Sequence, residues 1–120
     1  MRGREKMYIL VTYIPPSHLE AVKEALFAAG AGTIASYDRC CFQLLGEGQF
    51  RPLEGSTPYI GEQGELARQQ EWRLELTVEE AVAEAVVEAL LAIHPYQVPA
   101  YHLIPVLTIE ELKERSWQRQ

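Results

Sequence analysis

The amino-acid sequence predicts an α+β sandwich, one antiparallel sheet with two helices on one of its faces. Three features carry that prediction. A run from Met7 to Ile14 is apolar at nearly every position, two helical stripes each follow a strand-like segment, and the elements fall in the order β-α-β-β-α-β. With short connections and right-handed crossovers this order gives the ferredoxin-like arrangement, in which the first and third strands are central and the fourth is an edge.

Each element has its own justification. Tyr8, Ile9, Val11, Tyr13 and Ile14 are β-branched or aromatic and fill both alternating faces, so the first strand reads as buried on its two sides. Pro15 and Pro16 end it. Ser17 and Glu20 have capping-box spacing, and Leu19, Val22, Leu26 and Ala29 form a helical stripe that Gly30 and Gly32 terminate; the first helix is expected over about 17–30. The stretch 34–45, with Tyr37, Cys40, Phe42 and Leu44 apolar, reads as a long or bent second strand. From Gly46 to about Gly64, glycines and prolines break the pattern and predict a long loop or bent hairpin extension, a feature that tends to carry function. Trp72, Leu74, Leu76 and Val78 alternate with Glu71, Arg73, Glu75 and Thr77, a half-exposed third strand. Thr77 and Glu80 repeat the capping-box spacing before the second stripe, Val82, Val86, Ala89, Leu90 and Ile93, which Pro95 stops. The stretch 100–106 is the last strand, with Pro105 tolerable at a sheet edge or strand end. Thr108, with Glu111 at the capping-box position, opens a short terminal helix reaching about Arg115.

Length and charge narrow the classes. The 120 residues make a single domain, with 1–6 expected as a flexible start and 107–120 as a terminal extension. Apolar residues are 48% and charged residues 23%, globular usage rather than that of a disordered chain. Eleven basic against 17 acidic side chains, a net charge of -6, argue against a nucleic-acid partner. No apolar run approaches the roughly 18 residues a membrane helix needs. The basic-then-apolar start breaks at Thr12 and Pro15 without a small-residue cleavage site, so a cytoplasmic protein without a membrane partner is expected. Cys40 and Cys41, the only cysteines, are adjacent and cannot staple distant segments.

Two helices cover one sheet face, yet the first strand is apolar on both. The other face would remain a sizeable apolar patch unless copies of the chain bury it, which predicts a homo-oligomer.

The strongest functional candidate is the segment 50–62. It sets the cation Arg51 near the carboxylates Glu54 and Glu62, the aromatic Tyr59 and the flexible Gly55 and Gly61. That is the makeup of a clamp for a small or anionic ligand, with Arg51 forking onto a carboxylate or phosphate. The plainer alternative pairs Arg51 with Glu54 or Glu62 and uses the loop to lock subunits together. The glycines do not have phosphate-loop spacing. His94 either hydrogen-bonds the last carbonyls of the second helix and complements its dipole, or shares with Tyr96 an intersubunit cleft and a ligand held by Arg51. His18 is expected to be solvated and His102 to lie on a sheet face. As strand neighbours, Cys40 and Cys41 point to opposite faces and cannot jointly chelate one ion; one packs in the core, and only thiols gathered from several copies would make a soft-metal site. Ser17, Ser36, Ser56 and Ser116 sit in no nucleophile elbow, and Glu79, Glu80, Glu84 and Glu88 read as a solvated helix face. No catalytic residue, metal or cofactor is assigned.

The segments VTYIPPSHLEAVKEALFAAGAGTIASYDRCCF, GQFRPLEGSTPYIGEQGEL and AIHPYQVPAYHLIPV resemble the YqfO-type domain of the Ngg-interacting-factor-three-like family, over Met7 to about Val106. The middle segment is the most specific. In the longer members this domain is inserted between two halves of a dinuclear-metal protein, and the metal ligands lie in those halves; the resemblance implies a stand-alone form without that chemistry. His94, Pro95, Tyr96, Gln97 and Pro99 are also similar to a run before the last core strand of the CutA cation-tolerance family, with Trp117 matching its C-terminal tryptophan; Gln97 stands where a glutamate is usual in the YqfO-type run. CutA and the related PII signalling proteins are ferredoxin-like trimers, so the resemblance implies a homotrimer. The expected function is a non-enzymatic trimeric module that binds a small ligand or regulates a partner, in clefts lined by the 50–62 loop, His94 and Tyr96. The alternatives are a purely structural oligomerisation module and a CutA-like divalent-cation protein binding copper.

Overall fold

In the computed structural model, residues 6–118 are described. The chain runs through β1 (Met7–Ile14), a 3₁₀ turn (Pro16–His18), α1 (Leu19–Ala28), β2 (Phe42–Phe50), β3 (Ala67–Glu79), α2 (Glu80–Ile93), β4 (Tyr101–Val106) and α3 (Ile109–Gln118). The strands form one antiparallel sheet in the order β2-β3-β1-β4. This is the ferredoxin-like fold expected, with β1 and β3 central and Pro105 on the edge strand.

Register decides which side chains meet the helices. Leu10 lies opposite Leu76 on one side and Leu103 on the other. Because side chains alternate, Leu10, Ile14, Leu74, Leu76 and Val78 share one face. They pack with Leu19, Val22 and Leu26 of α1 and Val86 and Leu90 of α2, all buried. Each such side chain contributes roughly 1.5–3 kcal/mol by leaving water.

The same register puts Ile9, Val11 and Tyr13 on the other face, with Phe42 and Leu44 of β2 and Ile104 of β4. Phe42, Leu44 and Ile104 remain 58%, 53% and 44% exposed, so this face has no full cover among the described residues. It is not uniformly apolar: Arg73 and Glu75, paired at 2.7 Å, lie between β1 and β2. Val11 is buried even so.

Several expectations change. The segment 34–41 is a turn, not a strand: Ile34 and Tyr37 exchange backbone hydrogen bonds of 2.8 Å around Ala35, whose φ is 51°. Gly32, at φ +79°, cannot take a side chain, because a Cβ would sit 2.6 Å from the Cys40 carbonyl oxygen. β2 instead runs through Gly46 and Gly48 to Phe50, leaving 51–66 as the loop. Cys40 therefore precedes the strand and approaches the Asp38 carbonyl, while Cys41 packs against the core. Ser17 caps nothing; its hydroxyl lies 2.8 Å from His18 Nδ1, and Glu20 pairs with Lys23. Thr77 lies inside β3, and Glu79 occupies the N-cap of α2 without a side-chain bond. Only the third capping box forms, Glu111 N–H donating to Thr108 Oγ1 at 3.3 Å. Of the expected flexible start, residues 1–5 lie outside the described residues, while the Lys6 carbonyl accepts a 2.9 Å bond from Glu80 N–H. The side chain of Trp117 also lies outside them. Among the described residues no helix is long and apolar enough to cross a membrane.

Thr77 Oγ1 is buried and has no hydrogen-bond partner among the described residues. Thr77→Val keeps the shape and removes the orphan hydroxyl, so urea unfolding should show stability unchanged or raised by up to about 1 kcal/mol. A loss of about 1 kcal/mol, the usual effect of deleting a helix cap, would contradict this placement.

Candidate functional site

The turn after α2 carries the site. His94 leaves the helix with φ -66° and ψ 134°, the extended conformation that a following proline favours. Its side chain is buried and reaches across to β1: Nε2 donates to the Tyr13 carbonyl at 2.7 Å, and Nδ1 accepts from Tyr96 N–H at 3.2 Å. These partners assign the neutral tautomer with the proton on Nε2. Burial holds the His94 pKa below its ordinary value, against the opposing pull of the Tyr13 carbonyl and Glu71. The imidazole thus bonds a strand carbonyl, not the last carbonyls of α2.

Tyr96 fastens the turn to β3. Its hydroxyl donates to Glu71 Oε2 at 2.7 Å and accepts from Gln69 Nε2, which also reaches Glu71 Oε2 at 3.4 Å. Burial and the Glu71 hydrogen bond push the phenol well above its ordinary range, so it stays protonated. Gly48 makes this possible, because a Cβ there would run into Glu71 Oε1. At the far end of the segment, Thr12 Oγ1 donates to the Ala100 carbonyl at 2.9 Å.

The loop 51–66 closes over this frame. It folds on itself through Gly64 N–H to the Pro52 carbonyl (2.7 Å) and Gln63 Nε2 to the Ser56 carbonyl (2.9 Å). Thr57 N–H donates to Gln97 Oε1 at 2.9 Å and ties the loop to the turn. The Tyr59 ring stands 6.2 Å from Tyr96 and meets His18 edge-on at 5.8 Å, so His18 is half-buried and not simply solvated. Phe50 lies 6.3 Å from Tyr96. Between loop and turn is a cavity of about 290 Å³, with Tyr13, Phe50, Pro52, Tyr59, Ile60, Glu71, Tyr96, Gln97 and Val98 among its walls. A wider hollow of about 490 Å³, bordered by Leu44, Gly46, Gly48 and Arg73, adjoins it on the uncovered sheet face, and Tyr13 and Glu71 belong to both.

Of the residues singled out in the sequence, the structure brings Tyr59 and Tyr96 together on the cavity wall. His94 sits behind Tyr96, with ring centroids 4.7 Å apart. Gly61 has φ +93°, and a Cβ there would lie 3.3 Å from Ala67 and 3.6 Å from Phe50 and Pro52. Arg51, Glu54, Gly55 and Glu62 are exposed on the loop and lie outside the cavity walls. Among the described residues no ion pair joins Arg51 to Glu54 or Glu62; those present are Lys23–Glu20, Arg39–Glu24 and Arg73–Glu75. Sequence reasoning missed Glu71, Gln69, Gly48 and Thr12. Glu71 read as one of several solvated polar positions on an alternating strand; its strand partner is Gly46, and Gly46 and Gly48 together were the available signal. Among the described residues no group of three or more His, Cys, Asp or Glu side chains converges to hold a metal ion.

The family model of the CutA1 divalent ion tolerance protein matches residues 57–115, from the loop through β3, α2 and β4 into α3. The stable protein CutA1 of Shewanella sp. SIB1 superposes with a TM-score of 0.64 at 13% identity, covering 93% of this chain and 96% of that one, a likeness of fold alone. The strand order and helices thus give the chain a CutA-like, ferredoxin-like fold. The sequence relationship is narrower. The GTP cyclohydrolase 1 type 2 homolog of Halalkalibacterium halodurans is 44% identical over 102 residues, covering 85% of this chain and 27% of the relative. A Bacillus cereus protein related to NIF3 superposes with a TM-score of 0.78 at 34% identity, covering 89% of this chain and 27% of that one. The resemblance to the YqfO-type domain of the NIF3-like family is thus borne out, and the chain spans about a quarter of the length of the curated relatives it matches.

The buried neutral His94 fixes the sign of a pH effect. Its folded pKa lies below the ordinary 6.5, so the unfolded chain takes up the proton first. This contribution is fully present above about pH 6.5 and is lost as pH falls toward the folded value, at up to about 1.4 kcal/mol per pH unit. Urea midpoints between pH 8 and pH 5 should fall more steeply for the natural chain than for His94→Gln. Parallel curves, or a natural chain that gains relative stability on acidification, would contradict the assignment.

Proposed function

We propose that the chain is a non-enzymatic, homotrimeric module that binds a small ligand in the cavity between the 51–66 loop and Tyr96, and that occupancy is read by a partner. The cavity itself carries this reading. It has mainly apolar walls with a few placed polar groups, the usual makeup of a small-molecule site. One wall is a long loop held to the turn by the Thr57–Gln97 bond, so a ligand would order that loop. Arg51, Leu53, Glu54 and Glu62 stand exposed on the loop, where a partner would sense the change. Gly55 and Gly61, at φ +93° each, shape its bends.

The trimer is supported by the exposed Phe42, Leu44 and Ile104 on the uncovered face and by the CutA1 likeness. In such an assembly the wider hollow on that face would be roofed by a neighbour. Two free, partly exposed thiols fit a reducing compartment, which supports a cytoplasmic setting. A divalent-cation role has less support, since Cys41 packs against the core and Cys40 faces a backbone carbonyl.

Thermal-shift measurements with nucleotides, carboxylates and organic amines test the ligand site; a true ligand at about a hundred times its Kd should stabilise by about 2.7 kcal/mol. Tyr59→Ala should abolish that shift while leaving assembly intact. Light scattering should give three times the 13.6 kDa protomer mass, and Leu44→Asp should reduce it to the protomer. A panel with no active compound counts against the ligand site, and a natural chain that stays monomeric at micromolar concentration removes the trimer.

A further inference from the structure

We infer that the cavity selects an organic cation, a small alkylated ammonium or flat protonated amine, held among aromatic rings against the Glu71 carboxylate. The inference rests on the cavity being a ligand site and adds the charge and shape of what enters it. Phe50, Tyr59, Tyr96 and Tyr13 all contribute to its walls, and Glu71 is the carboxylate among them. Among the described residues no lysine, arginine or histidine is in the lining. The faces of aromatic rings are electron-rich and attract a cation, most strongly where water is excluded. Tyr96 adds no positive charge and no competing negative charge, because its phenol stays protonated.

The described cations near this site stand outside its walls: Arg68 is exposed, its Nε donating to Gln49 Oε1 at 3.0 Å, and His18 meets the Tyr59 ring edge-on. Arg51 is exposed on the loop outside the walls. Arg73 borders the adjoining hollow and is engaged with Glu75 at 2.7 Å. His94, behind Tyr96, is buried with both ring nitrogens committed. Glu71 spends one oxygen on the Tyr96 hydroxyl and Gln69, while its other oxygen has no hydrogen-bond partner among the described residues. A bound anion would give up its water to face a carboxylate with no compensating charge, whereas a cation would gain both the carboxylate and the ring faces. Pro52, Ile60 and Val98 supply apolar surface for methyl or methylene groups.

The test compares choline with its neutral carbon isostere, in which tert-butyl replaces trimethylammonium, by NMR titration of the full chain at constant ionic strength. Choline should bind saturably, shift the Tyr59 and Tyr96 ring resonances, and bind about tenfold or more tightly than the isostere. Glu71→Gln should weaken choline about tenfold more than it weakens the isostere. Should Glu71→Gln fail to fold, Tyr59→Ala, a change at a half-exposed ring, should weaken choline more than the isostere. Equal affinities for the two probes overturn the inference, as does the absence of saturable choline binding. If an anionic compound instead moves the same resonances, the inference fails while the ligand site stands; if no class of compound moves them, both fail.

Discussion

The site depends on two ring-bearing side chains that fasten one short turn to the sheet. His94 reaches β1 through the Tyr13 carbonyl, and Tyr96 reaches β3 through Glu71. Without these bonds, residues 94–100 would be an extended, proline-containing link with little reason to hold a single conformation. With them, the Tyr96 ring becomes a fixed wall, and the loop from β2 to β3 has something to close against. Each bond is also costly to leave half-made, since a buried donor or acceptor that loses its partner forfeits about 1–3 kcal/mol.

Both bonds join residues far apart in sequence, so they exist only when the sheet is correctly registered. β3 must present Glu71 on the face away from the helices, and β2 must place a residue without a side chain beside it. A slip of one residue in the β2–β3 pairing would put Glu47 or Gln49 in place of Gly48 and reverse the faces. Gly48 therefore belongs to the site as much as Tyr96 does, although it touches the cavity only by leaving room. The apolar side chains that remain exposed on this face place the cavity next to the surface that a second copy would cover. The proposed ligand site and the proposed assembly surface thus share the same strands.

Much of the fold was legible in the sequence because hydrophobic period alone specifies it. The stripe from Leu19 to Leu26, the alternation from Trp72 to Val78 and the doubly apolar first strand sufficed to order the sheet. Tyr59 and Tyr96 were legible as site candidates because large aromatics in glycine- and proline-rich segments have few other uses. Other features resisted for identifiable reasons. Gly46 and Gly48 read as loop because glycine weakens strands, whereas Gly48 is in β2 to accommodate Glu71. Ile34 and Tyr37 read as strand because they are β-formers, yet they pair with each other across a tight turn. Ser17 and Thr77 had cap spacing without cap geometry, since the helices start elsewhere. The partner of His94 lies 81 residues away, beyond any local pattern.

The fastening of Tyr96 to Glu71 can be measured directly by a double-mutant cycle of Tyr96→Phe and Glu71→Gln, with unfolding free energies of all four proteins determined in urea. The structure predicts a coupling of about 0.5–3 kcal/mol, as for side chains in one hydrogen-bond network. Effects that add to within about 0.3 kcal/mol would mean that the turn is not held by β3, and the cavity would lose its fixed wall.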